Sequence, residues 1–546
     1  MAKYKRYDYS QSVLIPVSLP EQLVPGTLEF AIHTLVEGRM DLSVFDTNYQ
    51  NDYTGRSAYD PKILLKIVLL AYSRGLTSSR QIERACYENV LFMAMSCNQR
   101  PDHSTIAPFV SSMKDQIKPL FRDILLVCDQ EGLLGGSFFA IDGCKMSSNA
   151  SKEWSGRMSD LHKRKQKIEN KLKALVEDHI EIDKEEHSVK EKMSARREKQ
   201  IRRLEQQAEK IEKWMSENEK KIGVNKKELH SNVTDNDSAK MHTSHGTVQG
   251  YNGQAIVDSK HQVIVHGEAI GKGLDNENLP PVVDGAKQNL ESIGKGKDYF
   301  VGKIITADSS YHSVTNINKC NEEKLDAYIP DNKFRNRDER FASRLGYRPR
   351  SKKFTFADFH YNDDKDEYIC PNSKRLKRFS KAGQHKGKLL RRYVSNEKDC
   401  RHCQLRAKCL RYKDAKHRHF TYYADASGNN ISQTMVKKIE TEKGRKIYPQ
   451  RIAIVEPVFA NIRVHKRMDK FSLRGKIKVN IQWLLYCMVH NTPLQASALT
   501  RINNELCNQI LHFFKKSFFC NFAHACLFSK QKGATVGQKV RVPPDL

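Results

Sequence analysis

Apolar residues recur along this chain with several periods, and the period changes where glycines and prolines fall. From Ile63 to Tyr72 almost every position is apolar, as in a helix buried on most sides, and the run stops at Gly75. Leu28 to Glu37 reads as an earlier helix, and Tyr9 to Leu19 before it as an extended arm. Thr77 and Ser78 suit the cap of a helix carrying Ile82 and Cys86. A further helix starts near Ser104, turning Ile106 and Phe109 inward and leaving Lys114 and Lys118 outside. Three short helices with tight turns fit a helix-turn-helix DNA-binding unit, and fit equally a helical unit that only packs against the rest.

Further on the period shortens. Phe138 to Ile141 form a continuous apolar run between glycines, a short buried strand with Asp142 at its end. The polar, basic stretch that follows contains Lys145. From about Arg157 to Ile222 Lys, Arg and Glu dominate, and Ile201, Leu204, Ala208, Ile211 and Met215 alternate steps of three and four. With a break near His187, this heptad pattern predicts two helices folded back on each other. A solvated inserted hairpin accounts for it, as does a DNA clamp or a dimer contact. Residues 247–270 read as two strands turning at Ser259-Lys260, followed by a helix over Leu274 to Asn289. Ile304 and Ile305 then lead to Asp308 at a polar turn. Strand, helix and strand in that order imply a parallel crossover, with Asp142 and Asp308 at strand ends on one side of a mixed sheet.

The stretch from Ile447 to Lys470 carries two stripes at helical period. Ile452, Val455, Phe459 and Ile462 make an apolar one, and Glu456, Ala460, Arg463 and Arg467 a polar one. A carboxylate and two arginines on one face suit an anionic ligand held through metal, and an amphipathic helix with a solvated Glu is the plainer account. Pro457 predicts that a helix starts or kinks at Glu456. Two aspartates at strand ends with a glutamate on a later helix match what two divalent cations require. Mg²⁺ prefers carboxylate oxygens, and paired ions about 3.5–4 Å apart promote phosphodiester cleavage.

Composition narrows the partner. The chain has 546 residues, enough for several domains, and a formal net charge of +29 spread over nearly its whole length. Such charge points to a polyanion, most simply nucleic acid. No apolar run approaches the ~20 residues that cross a bilayer, so no membrane partner is expected. The N-terminus lacks the apolar core of a secretory signal. Thirteen cysteines, an odd number mostly scattered in apolar contexts, suit a reducing cytosol. Four of them cluster: Cys370, Cys400, Cys403 and Cys409, with a C-x₂-C core suited to tetrahedral Zn²⁺. Reduced free thiols are the alternative. Residues 374–393 are basic with Phe379 and Tyr393 interleaved, suited to phosphate contacts or to a solvated basic loop.

Taken together, the motifs resemble the DDE transposases of bacterial insertion sequences, in the branch with a β-rich insertion before the last acidic residue. YDPKILLKIVLLAYSRG, NQRPDHSTIA, AIDGCKMSSNASK, GYNGQAIVD, ITADSSYHS, IVEPVFANIR and LRGKIKVNIQWLLYCMVHN carry the likeness, in order, over roughly residues 8–491. The resemblance implies an α+β chain. A helical DNA-binding domain (1–132) precedes a ribonuclease H-like mixed-sheet catalytic core (133–313 and 445–495). A basic helical hairpin (157–228) and a β-rich insertion with the cysteine cluster (314–444) interrupt the core, and a tail (496–546) follows. Asp142, Asp308 and Glu456 become the catalytic, metal-binding triad for two Mg²⁺, with Mn²⁺ able to substitute; Zn²⁺ at the cysteines rests on their spacing alone. Tyr448, Arg451 and Arg463 resemble a Tyr-Arg-Glu-Lys signature that contacts DNA ends, and Arg467 and Lys145 are further DNA-binding candidates. The sequence departs from that pattern at Arg463 (for Lys), Ala460 (for Gly), Cys144 (for Thr) and in the spacing of Arg451. The implied function is metal-dependent cleavage at the element's terminal inverted repeats and strand transfer into target DNA. It would be carried out in the bacterial cytoplasm at the nucleoid, by a homodimer on paired ends. An inactive DNA-binding descendant and a nuclease without strand transfer are the alternatives.

Overall fold

The structure is a computed structural model. It describes residues 17–48, 57–182, 190–223, 226–243, 246–343, 353–379, 383–385, 388–412, 414–425 and 430–492. Most of the Tyr9–Leu19 arm, the break near His187 and the tail from residue 496 lie outside these.

Six helices come first: α1 (Leu28–Gly38), α2 (Pro61–Ser73), α3 (Ser79–Glu88), α4 (Val90–Met95), α5 (His103–Ser112) and α6 (Ile117–Gln130). Local chemistry sets their starts. The Asp60 carboxylate accepts from Lys62 N ahead of Pro61, Ser78 and Gln81 form a capping box, and Asp102 accepts from Thr105 N. In α2, Ile63 to Tyr72 are all buried, Lys66 included, whose ammonium reaches Glu37 at 2.7 Å.

The first sheet is built from β1 (Phe138–Ser147), then β4 (Ala239–Thr243), β5 (Gly246–Asp258), β6 (Ile264–Ile270), β7 (Ile304–Ala307) and β8 (Asp326–Tyr328). The short strands β2 (Ser155–Gly156) and β3 (Ser231–Asn232) pair separately. Its order is β4-β5-β1-β7-β8, with β6 beside the second half of β5. β5 runs antiparallel to β1, β4 and β6, whereas β7 and β8 run parallel to their neighbours. Gln249 to Asp258 are buried at every position, so this strand is covered on both faces.

Between β2 and β3, α7 (Met158–Ile182) and α8 (Lys190–Glu217) pack together as the heptads predict, around Leu161, Ile168, Ile211 and Trp214. α9 (Leu279–Ser292) crosses from β6 to β7, and α10 (Val314–Glu322) leads into β8, so the chain just past residue 314 still serves the first sheet. After α11 (Phe334–Arg337) a second sheet forms from β9 (His360–Asn362), β10 (Glu367–Ile369), β11 (Arg375–Arg378), β12 (Gln384–His385), β13 (Lys388–Ser395) and β14 (His419–Tyr423). Between β13 and β14 stand α12 (Glu397–Arg401) and α13 (Arg406–Cys409). This sheet has its own aromatic core of Phe359, Tyr368, Tyr393, Phe420 and Tyr422. Residues 374–393 are therefore largely strand rather than loop, and Tyr393 is core rather than a phosphate contact.

The chain returns to the first sheet through α14 (Ile431–Glu440), α15 (Glu442–Ile447) and α16 (Gln450–Ala460), a π turn over Asn461–His465, and a helix α17 over residues 476–492. Two sequence expectations fail in α16. It runs through Pro457 instead of starting at Glu456. The carbonyl of Ala453, which loses its i+4 donor to Pro457, accepts instead from Gln262 Nε2 at 3.0 Å. The buried face also differs: Arg451, Ile454, Val455 and Val458 point inward and Ile452 is exposed.

α17 covers the middle of the sheet, where Trp483 Nε1 donates to Gln254 O at 3.0 Å. A Cβ at Gly267 would come 2.8 Å from Cys487 Sγ and 2.9 Å from Trp483 Nε1, so glycine lets this helix sit close. Tyr486 on α17 stacks on Tyr72 of α2 with ring centroids 4.9 Å apart, joining the N-terminal helices to the sheet in one continuous core.

Candidate active site

Asp142 does not end its strand as the sequence suggests. β1 continues to Ser147, but its parallel neighbour β7 pairs only as far as Ala307 opposite Ile141. Asp142 is thus the first residue of β1 without a partner on that side, and Asp308 is the first residue beyond β7. The topology brings the two aspartates together at this opening.

Asp308 caps a 3₁₀ turn, its Oδ1 accepting from Ser310 N at 2.8 Å. Ser310 Oγ stands 2.6 Å from Asp308 Oδ1 and 2.9 Å from Asp275 Oδ2. One hydroxyl hydrogen cannot serve both carboxylates, so the cluster has room for a further positive centre. Asp275 is buried, and its Oδ1 accepts from Asn252 Nδ2 at 2.6 Å and Gln254 Nε2 at 2.9 Å. Tyr311 OH donates to Gln254 Oε1. A Cβ at Gly143 would lie 2.2 Å from Gln254 Nε2 and 2.6 Å from Asn252 Oδ1. Glycine beside Asp142 is therefore what lets this polar layer close on β1.

On the other face of β1, α16 presents Arg451, whose Nη1 donates to Asp142 Oδ2 at 2.6 Å. Even so, burial dominates at Asp142 and pushes its carboxyl up to about 6; Arg451 pulls it down, and Asp308 adds to the rise. Arg451 Nε is buried without a partner among the described residues. Tyr448 is half-buried, with burial raising its hydroxyl, Arg451 lowering it and Asp308 raising it, which puts it in the same cluster. Arg463 reaches Cys144, two residues beyond Asp142 on the same face.

Other expected residues stand apart. Glu456 is exposed on α16, on a different side of the helix from Arg451, and is not among the groups acting most strongly on Asp142. Arg467 has a left-handed backbone (φ 52°), and its stem packs over Gly75 of the N-terminal helices. Lys145 points to the opposite face of β1 from Asp142, its ammonium 3.5 Å from His242 O. Among the described residues, no group of three or more His, Cys, Asp or Glu side chains stands ready to hold a metal ion. Sequence reasoning missed Asp275, Ser310 and the amides of Asn252 and Gln254. The signal was present in GYNGQ, where Asn252 and Gln254 alternate on a strand buried throughout, and buried amides need a buried polar partner.

A family model for the Transposase DDE domain matches residues 369–493, and one described as Transposase domain (DUF772) matches residues 19–112. The helical N-terminal region and the mixed sheet fit that class of protein, a transposase. These two matches support a DDE transposase of an insertion element. Glu456, Tyr448, Arg451, Arg463 and the four clustered cysteines lie inside the first match, whereas Asp142 and Asp308 lie outside both. No curated protein and no solved structure matches the chain. No helix among the described residues is long and apolar enough to cross a membrane.

Proposed function

We propose that this transposase binds the terminal inverted repeats of its own element, cuts the DNA there, and joins the freed 3′ ends to target DNA. The observation that carries this reading is the convergence of Asp142 and Asp308 where β1 loses its neighbour, with Arg451 and Tyr448 beside them. The mixed parallel and antiparallel sheet supports a ribonuclease H-like core.

The residues fit a hard divalent cation. Two carboxylates meet, one is desolvated, and a single hydroxyl is shared between Asp308 and Asp275. Mg²⁺ held there, or Mn²⁺ in its place, would activate water and stabilise the leaving oxygen of a phosphodiester. Asp142 and Asp308 are the inner ligands in this reading. Glu456, exposed on α16 where that helix packs on β1, would have to turn toward the two aspartates to complete the triad. Arg451 offers a planar fork to a phosphate, and its unpartnered Nε is a donor such an oxygen can fill. Arg463 and Tyr448 flank it and hold the DNA end in register, with the protein acting as a dimer on paired ends.

The test is strand transfer. A donor duplex carrying the gene's flanking repeats is incubated with the protein, Mg²⁺ and a target plasmid. Joints between repeat ends and target are expected. Binding to the repeats without joints, but with nicks at their boundary, would make the protein a nuclease only. Binding with neither would make it an inactive DNA-binding descendant.

A further inference from the structure

The four cysteines of the second sheet have no part in the proposed cleavage chemistry, yet the fold gathers them. Cys370, Cys400, Cys403 and Cys409 line one cavity of about 20 Å³, room for a single water-sized occupant. They arrive from separate places. Cys370 follows β10, Cys400 sits in α12, Cys403 lies just beyond it, and Cys409 ends α13. The other described cysteines are scattered: Cys86, Cys128, Cys144, Cys320 and Cys487 buried, Cys97 exposed.

The turns that carry these thiols are specific. After Cys370 the chain reverses tightly: Ser373 N donates to Cys370 O, and Cys370 N to Lys374 O, both at 2.8 Å. Ser373 takes a left-handed conformation (φ 55°). Lys374 N then points at Cys370 Sγ at 3.3 Å, Asn372 Nδ2 at Cys403 Sγ at 3.5 Å, and Ser395 Oγ lies 3.1 Å from Cys400 Sγ. Polar hydrogens around sulfurs suit thiolates, and such outer partners are what orient metal ligands. Arg406 Nη1 donates to Cys400 O and Arg418 Nη1 to Cys409 O, each at 3.0 Å, so two cations brace the backbone beside the cluster.

We propose that these four cysteines bind one structural Zn²⁺ that locks α12, α13 and the β10–β11 turn onto the second sheet. Its own core is a small cluster of mostly aromatic residues, and units with small cores commonly need a metal or disulfide staple. The thiols line the cavity without closing on a common centre, so zinc would draw the sulfurs to about 2.3 Å and release their protons. Nothing in this site depends on the cleavage reading, and the protein can carry zinc whether or not it cuts DNA.

The test uses the full chain, purified from zinc-replete cells without chelator and analysed for metals by mass spectrometry. One zinc per chain is expected, with loss of most of it in the Cys400→Ser/Cys403→Ser variant and retention in Cys97→Ser. Because the double variant can fail to fold, the wild-type protein is also stripped and given Co²⁺. The intense visible bands of tetrahedral thiolate-bound cobalt are expected, abolished by added Zn²⁺. A folded wild-type protein that contains iron instead, or that holds no metal and gives no cobalt bands, overturns the proposal.

Discussion

Asp142 sits inside a strand, mostly buried, with its charge answered by one arginine and opposed by a second aspartate. Its exposure to a cation depends on Gly143. Gly143→Ala would drive a methyl group against Gln254 and Asn252. It should lower stability by about 1–3 kcal/mol and abolish cleavage, read by thermal melting and a nicking assay. Retained cleavage in a folded Gly143→Ala protein would show that the Asp275 layer does not support the site. Asp142 and Asp308 were legible in the sequence because an apolar run ending in a carboxylate is a local signal. The exposed position of Glu456 and the inward turn of Arg451 were not. Both depend on which face of α16 meets β1, and the apolar stripe took in exposed Ile452 while leaving out buried Arg451, Ile454 and Val458. Asp275 was hidden for a related reason, since its partners, Asn252 and Gln254 on β5 and Ser310 in the turn after β7, stand on other elements.

Among the elements, α16 shows how a proline is accommodated without ending a helix. Gln262, itself at positive φ (60°), supplies the donor that Pro457 cannot. Pro457→Ala should therefore leave stability within about 1 kcal/mol of the parent, and Gln262→Ala should cost about 0.5–1 kcal/mol. Both are read from urea unfolding. A large loss in Pro457→Ala would mean that proline shapes the helix in a way this hydrogen bond does not explain. The helical hairpin was readable from heptads alone, because its contacts repeat along the sequence. The residues alone showed the second sheet only as a basic, aromatic stretch, and its β-rich character was expected from the family resemblance. Its strands are short, and its aromatics form a core that one strand's pattern does not reveal.

Across the whole molecule, the N-terminal helices and the sheet share one core through the Tyr72–Tyr486 stack. Tyr486→Ala should destabilise the protein by about 3–5 kcal/mol, and calorimetry should show both parts loosening together. Acid should do the same through buried histidines. His266, facing Lys118, Arg122 and Asn289, and His490, held by Asn461 and Gln262, are each pushed down to about 4, chiefly by burial. Each is neutral when folded but takes up a proton when unfolded below its ordinary 6.5. Stability should hold above that pH and fall as pH drops from 6.5 towards 4. Asp142 works in the opposite sense, favouring the folded state as pH falls through about 6, but it is one group against two. Denaturant midpoints that stay level from pH 7 to 5 would contradict this balance.

The account rests on two aspartates meeting to serve phosphodiester chemistry. Its most direct test is cleavage of a labelled duplex spanning the element end, with and without Mg²⁺, by the wild-type protein and by Asp142→Asn and Asp308→Asn. The predicted result is Mg²⁺-dependent nicking at the repeat boundary by the wild type, a loss of at least a hundredfold in either variant, and undiminished binding of the duplex by all three. Nicking that persists in either variant, or that needs no divalent cation, would contradict the assignment.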